Sequence, residues 1–248
     1  MNQLKSAGGT LDPAFGAEGI VALPFKDVVG SIPSAVLALP QNKLLIALST
    51  TQPQESPSKV ARLKEDGSLD GSFGQDGIVA IPFADDTWFS PRHLRPTANG
   101  GWLVIGSAKH PLRSEELAVV RQLEDGRLDA TFGDNGKVLI NLDELLGSKA
   151  GATRLVTRRH DLDEKAVVGA ESGGGVSVTE QADGKILLVG TVLYDFDDLQ
   201  GIVMRLNQDG TLDNSFNGAG FVRVELPGFE RRWNYASAVA VQEDGGQW

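Results

Sequence analysis

The 248-residue chain has no cysteine, so no disulfide can brace it. That absence is neutral about compartment, because many secreted proteins of this size also lack disulfides. Cations are scarce: 23 Lys and Arg stand against 33 Asp and Glu, a formal charge of −10. Nucleic acid and anionic membrane surfaces are recognised by clustered cations that release counterions, so neither is an expected partner. Long apolar runs are missing too. Met1 is followed by Asn2, Gln3, Leu4 and Lys5 rather than by the apolar core of a Sec-type signal, and no stretch is long enough to span a bilayer. The chain therefore reads as soluble, its compartment unassigned and export without such a signal left open.

Catalytic and ligand motifs are equally sparse. His93, His110 and His160 are single and far apart, which argues against zinc, although Asp161, Asp163 and Glu164 lie near His160. No Gly-x-Ser-x-Gly occurs; the closest segment, GAESG at 169–173, has its serine one place late. Gly133 to Lys137 lacks the spacing and the Ser/Thr of a phosphate loop. Asp195, Asp197 and Asp198 are weak metal candidates: they form the densest acidic loop but lack the glycine and terminal glutamate of a calcium-hand loop, so a solvated turn is the preferred reading. No cofactor is expected.

What the chain does have is one stretch written four times: GTLDPAFGAEGIV (9–21), GSLDGSFGQDGIV (67–79), GRLDATFGDNGKV (126–138) and GTLDNSFNGAGFV (210–222). Between copies, short apolar segments alternate with turn residues. Ile20–Leu23, Ser34–Leu39, Lys43–Ser49 and Lys59–Leu63 read as four strands, and the order recurs after the second and third copies. The period is roughly 60 residues, apart from about 25 extra in the third unit. That insertion, about 143–175, combines a helical turn at Asp143–Leu146, a charged run at Arg158–Lys165 and the glycine-rich Glu171–Gly175.

Four strands per period without regular helices point to an all-β fold: a β-propeller of four-stranded antiparallel blades, three full and a fourth partial. A sandwich or an elongated solenoid seldom repeats so specific a block at fixed spacing. The units are about 9–66, 67–125, 126–209 and 210–248 within one domain, 1–248. The sequence stops at Gln247 and Trp248, where a third strand would begin, so a piece of a longer array is expected.

The block has a mechanical reading. Leu11, Leu69, Leu128 and Leu212 are expected as buried anchors. Asp12, Asp70, Asp129 and Asp213, three residues before each phenylalanine, are expected to cap a helical turn rather than to bind cations. Phe15, Phe73, Phe132 and Phe216 would plug the gap between blades. The following glycines supply positive φ, with Asn217 as the usual substitute in copy four.

On these residues the chain resembles the delta-60 repeat, a bacterial β-propeller repeat of uncharacterised function with a hallmark similar to RL-x-x-DG-x-LD-x-x-FG-x-x-G-x-V. The segments 61–79, 204–222 and, with Gln122 in the middle of its opening, 121–138 carry it, and ADGKILLVG (182–190) carries a companion motif. The resemblance implies a fold and no catalytic residues.

Function is sought in the connections. In an antiparallel blade the uniform turns leave one face, and the variable connections, including 50–57, 108–116 and 193–200, leave the other. That face carries Trp88, Phe89, Arg92, Tyr194, Phe196, Phe229, Arg231, Arg232, Trp233 and Tyr235, an aromatic-plus-arginine set typical of interface anchors, although some are expected only to pack beneath their own loops. The reading is a non-enzymatic module that presents these loops to a protein or glycan. The alternatives are a carbohydrate- or lactone-acting enzyme, with carboxylates such as Glu171 and Asp195 converging on that face, and a structural cell-surface array.

Overall fold

A computed structural model describes residues 9–23, 25, 31–50, 57–84, 86–149, 153–156, 176–194, 198–225, 236 and 238–241. Its strands form three antiparallel sheets. The first contains β1 (Ser31–Ala38), β2 (Leu44–Thr50), β3 (Ser58–Leu63) and β4 (Ile78–Ile81), in that order. The second repeats the order with β5 (Trp88–Pro96), β6 (Trp102–His110), β7 (Arg113–Gln122) and β8 (Lys137–Asn141). A five-residue helix, α1 (Leu142–Leu146), and the two-residue β9 (Arg154–Leu155) precede the third. That sheet is β10 (Ser177–Glu180), β11 (Ile186–Tyr194), β12 (Asp198–Leu206) and β13 (Phe221–Val224), with β9 pairing to β11.

The strand sequences follow from position. In β6 the first seven residues, WLVIGSA, are all buried, because a central strand between neighbouring sheets is covered on both faces. The last strands, β4, β8 and β13, are short and largely half-buried, as suits an edge. The opposite edge is blunted with proline. Pro33 in β1 and Pro91 in β5 each sit at a register irregularity, where a missing N–H costs no ladder bond.

Two apolar cores lie between the sheets. Phe73 joins Leu45 and Val60 of the first sheet with Leu94, Trp102 and Val104 of the second. Phe132 joins Ile105 and Val119 of the second with Leu188, Ile202 and Met204 of the third. α1 is capped at both ends. The Asn141 side chain accepts from the N–H groups of Asp143 and Glu144, and Gly147 turns the chain at φ 67°. Leu142 and Leu146 anchor the helix in the second core.

Two features depart from the sequence reading. Each sheet takes its fourth strand from beyond the block: β4 pairs with β3, and β8 with β7. The block therefore connects the third and fourth strands of one sheet, and Phe73 and Phe132 face the next. The physical reason is the tight return, in which Asp70 N–H bonds to Arg62 O and Arg62 N–H to Gly77 O. The strand expected at 20–23 does not form; Ile20 makes only an isolated bridge to Ala17. Among the described residues, no third strand lies beside it to pair with.

Candidate functional site

The turn face is built from three versions of one clasp. In the first sheet Arg62 Nε donates to Asp70 Oδ2 at 2.9 Å and Nη2 to Ser72 Oγ at 3.0 Å, while Nη1 reaches the Glu124 carbonyl of the next sheet's turn at 3.0 Å. The guanidinium lies 4.7 Å from the Phe73 ring centre, a cation–π arrangement. The second sheet repeats this with Arg121 on Asp129 (2.8 Å), Thr131 (3.1 Å) and the Gln208 carbonyl (2.7 Å), over Phe132 at 4.5 Å. In the third, Arg205 binds Asp213 (2.6 Å) and Ser215 (3.3 Å) over Phe216 at 4.7 Å. Each arginine thus ties block to strand, and the first two also tie one sheet to the next.

Lysine completes two of the three. Lys43 Nζ stands 2.9 Å from Asp70 Oδ2, and Lys185 Nζ 3.0 Å from Asp213 Oδ2. The Ser72 hydroxyl and then Lys43 hold the Asp70 carboxyl far below its usual range, and Ser215 followed by Lys185 does the same to Asp213. Partial burial pushes Asp129 up, but the Thr131 hydroxyl and backbone N–H and Arg121 outweigh it, so that carboxyl too is lowered.

The other block residues vary by copy. Leu69, Leu128 and Leu212 are half-buried and bridge to Leu63, Gln122 and Leu206. Leu11, expected as a buried anchor, is 63% exposed, because no such partner strand flanks it among the described residues. Among the described residues the Asp12 carboxylate accepts the Ala14 N–H of its own turn, and Phe15, like Phe216, is half-buried where Phe73 and Phe132 are fully buried. The arginines and lysines were not singled out from the sequence. The signal that could have found the arginines is their place eight residues before Asp70, Asp129 and Asp213, where Asp12 has Leu4.

On the loop face, Trp88 and Arg92 are half-buried. Phe89 is 3% exposed and belongs to the core, stacked obliquely on Phe83 at 5.2 Å while its carbonyl accepts the Ser58 hydroxyl at 2.6 Å. It is removed from the contact set, because its side of β5 faces inward. Phe196, Phe229, Arg231, Arg232, Trp233 and Tyr235, with the side chain of Tyr194, lie outside the described residues. So do Glu171, His160, Asp195, Asp197 and the side chain of Asp198. Among the described residues no group of three His, Asp or Glu side chains could hold a metal ion, and no helix is long and apolar enough to cross a membrane.

The face also carries a carboxyl of different character. Burial pushes Glu116 of β7 upward; Arg113 opposes this and Glu144 of α1 adds to it. Asp143, 4% exposed, accepts the Thr153 N–H at 2.7 Å and the Ser148 hydroxyl at 3.1 Å, and so holds the start of the insertion against α1.

Comparison with known proteins gives one family match. Residues 42–73 and 181–216 match the model of a domain of unknown function (DUF5122) described as a beta-propeller. The match supports a β-propeller repeat family whose function is unknown. No curated protein matches the chain. Among solved structures, an endo-arabinase from Bacteroides thetaiotaomicron VPI-5482 aligns at 10% identity and a TM-score of 0.39, over 76% of this chain and 58% of that one. The chain thus spans little more than half of that relative. A protein of unknown function from Bacteroides caccae aligns at 16% identity and 0.28, over 83% and 75% of the two chains. A catalytically inactive virginiamycin B lyase from Staphylococcus aureus with quinupristin aligns at 10% and 0.31, over 87% and 76%. Likeness at this level carries no argument about chemistry.

Proposed function

We propose that the chain is a β-propeller binding module of the delta-60 type, its three sheets serving as blades, and that it engages a protein or glycan without catalysing a reaction. The observation that carries this reading is the division of labour between faces. On the turn face Asp70, Asp129 and Asp213 are held in clasps and Asp66, Asp125 and Asp209 serve their own turns, as in Asp66, whose Oδ1 accepts the Ser68 N–H and hydroxyl. The variable connections leave from the other face, including the tip between β6 and β7, where Leu112 is 89% exposed. Trp88 and Arg92 are proposed contacts there, together with Tyr194, Phe196, Arg231, Arg232, Trp233 and Tyr235.

The test is binding to an array of glycans and to purified surface proteins, comparing the natural chain with Trp88→Ala plus Trp233→Ala. Binding should fall at least tenfold with a melting temperature changed by about 2 °C or less. Retained binding, or a large loss of stability, would overturn the reading.

A second reading, an enzyme acting on a carbohydrate or lactone, is favoured by Glu116, whose burial keeps a proton on the carboxyl to higher pH than usual, as a general acid requires. Hydrolysis of an oligosaccharide or lactone that Glu116→Gln abolishes would replace the first reading with this one.

A further inference from the structure

Asp129 differs from its two counterparts in one respect. Asp70 and Asp213 each receive four donors: the N–H and hydroxyl of the residue two places on, an arginine Nε and a lysine Nζ. Asp129 receives the first three from Thr131 and Arg121, and among the described residues no ammonium reaches it. Its side chain is correspondingly more open, 17% exposed against 6% for the other two.

The position of the missing lysine is Gly101. A Cβ there would run into the Gln122 carbonyl oxygen, so this backbone admits no side chain. Beside Asp129 lies a cleft of about 620 Å³ between the second and third sheets, lined by Asn99, Arg121, Asp129, Thr131, Asp183 and Lys185, among others. Its two cations are engaged already: Lys185 Nζ on Asp213, and Arg121 on Asp129, Thr131 and Gln208.

We propose that this cleft is a binding site for a primary alkylammonium group, which docks on Asp129 Oδ2 in the place that Lys43 and Lys185 fill in the other two clasps. The identity of the ligand class comes from the protein's own repeats: twice, the same carboxylate with the same arginine and hydroxyl partners takes an ammonium as its fourth donor. A charge-assisted N–H···O bond at about 2.9 Å supplies orientation, and the amide of Asn99 lies along the same wall. The site is on the turn face and is independent of the proposed loop-face contacts.

The experiment titrates the isotopically labelled full chain with n-butylammonium chloride and follows backbone amide shifts, with tetramethylammonium and sodium chlorides at equal ionic strength as controls. Shifts at Asn99, Thr131, Asp183 and Gln208 should saturate with a midpoint on the order of 10 mM, at least tenfold below either control. Asp129→Asn should remove them. Lys43→Ala, which opens the same vacancy beside Asp70, should add a second set of shifts around Ser72; this variant leaves the Arg62–Asp70 pair intact and so decides the matter even where Asp129→Asn does not fold. Equal responses to the three salts, or a Lys43→Ala vacancy that butylammonium does not fill, would falsify the assignment.

Discussion

The middle clasp and the two that flank it solve one packing problem with different chemistry. Where the first and third sheets use Lys43 with Leu44 and Leu63, and Lys185 with Ile186 and Leu206, the second has Gly101 with Trp102 and Gln122 at the same paired positions. Trp102 Nε1 donates to Gln122 Oε1 at 2.8 Å, and Gln122 Nε2 donates to the Gly126 carbonyl at 2.9 Å. The indole packs against Phe73 at 5.7 Å. The second sheet has thus exchanged an ion pair between a partly exposed lysine and a buried aspartate for buried aromatic area with its polar atoms satisfied. Surface ion pairs contribute about 0–1 kcal/mol, whereas burying a large aromatic side chain contributes several-fold more. The family match covers 42–73 and 181–216, the two lysine-bearing clasps, and leaves out the aromatic one.

The strongest way to break this comparison is to convert the second sheet to the pattern of its neighbours. Trp102→Leu alone should destabilise by about 2–4 kcal/mol, because it leaves a cavity beside Phe73 and strips Gln122, 1% exposed, of a partner. Adding Gln122→Leu should recover at least about 1 kcal/mol, since both polar atoms then leave together. Denaturant unfolding of the four proteins in the cycle measures the coupling; strict additivity would mean that the two side chains are not a unit.

A smaller effect separates the clasps by acid. Asp70 is held below its usual 3.8 by Ser72 and then Lys43, so its contribution is complete above that value and is lost as pH falls from 3.8 through the folded value. Lys43→Met removes one of those causes and narrows the interval. The melting temperature at pH 7 should fall by about 2 °C, and the dependence on pH between 4 and 2 should become shallower. An unchanged acid slope would mean that the lysine does not act on the carboxylate.

Much of this frame could be read from residues close together in the chain. The repeat period, the turns and the glycine-like role of Asn217, which has φ 53°, depend on neighbours within a few positions. The partners of the aspartates were hidden because a carboxylate that caps its own turn already has a sufficient local explanation, and only strand pairing brings Arg62 and Lys43 to the same oxygen. Sheet membership was hidden for a related reason: Ile78–Ile81 suits the first strand of a new sheet as well as the last strand of the old one, and the choice rests on hydrogen bonds across the block. Phe89 shows the limit of composition as a guide. An aromatic beside Trp88 on a loop-bearing strand looks like a contact residue, yet alternation along β5 turns one outward and the next into the core.

The mildest contrast lies in the hydrogen bonds that β5 makes with the sheets on either side of it. The first and second sheets are tied by hydroxyls that do not titrate: Ser58 Oγ donates to the Phe89 carbonyl at 2.6 Å, and Ser49 Oγ to the Pro91 carbonyl at 3.4 Å. The second and third are tied by His93, whose Nε2 accepts the Val176 N–H at 3.2 Å. That bond requires the neutral ring, and burial, then Arg95 and Arg92, hold the imidazole below its usual 6.5. A depressed folded value means that the unfolded chain takes up the proton first, so the stabilisation is complete above about 6.5 and is lost as pH falls from there through the folded value. The expected size is about 1 kcal/mol, one hydrogen bond. Exchange of the Val176 amide should accelerate relative to amides of the first joint as pH falls from 7.5 to 5, after correction for intrinsic rates. His93→Gln, which keeps an acceptor but cannot titrate, should remove the difference. If the variant retains the same pH dependence, the sensitivity lies elsewhere and the two joints are equivalent after all.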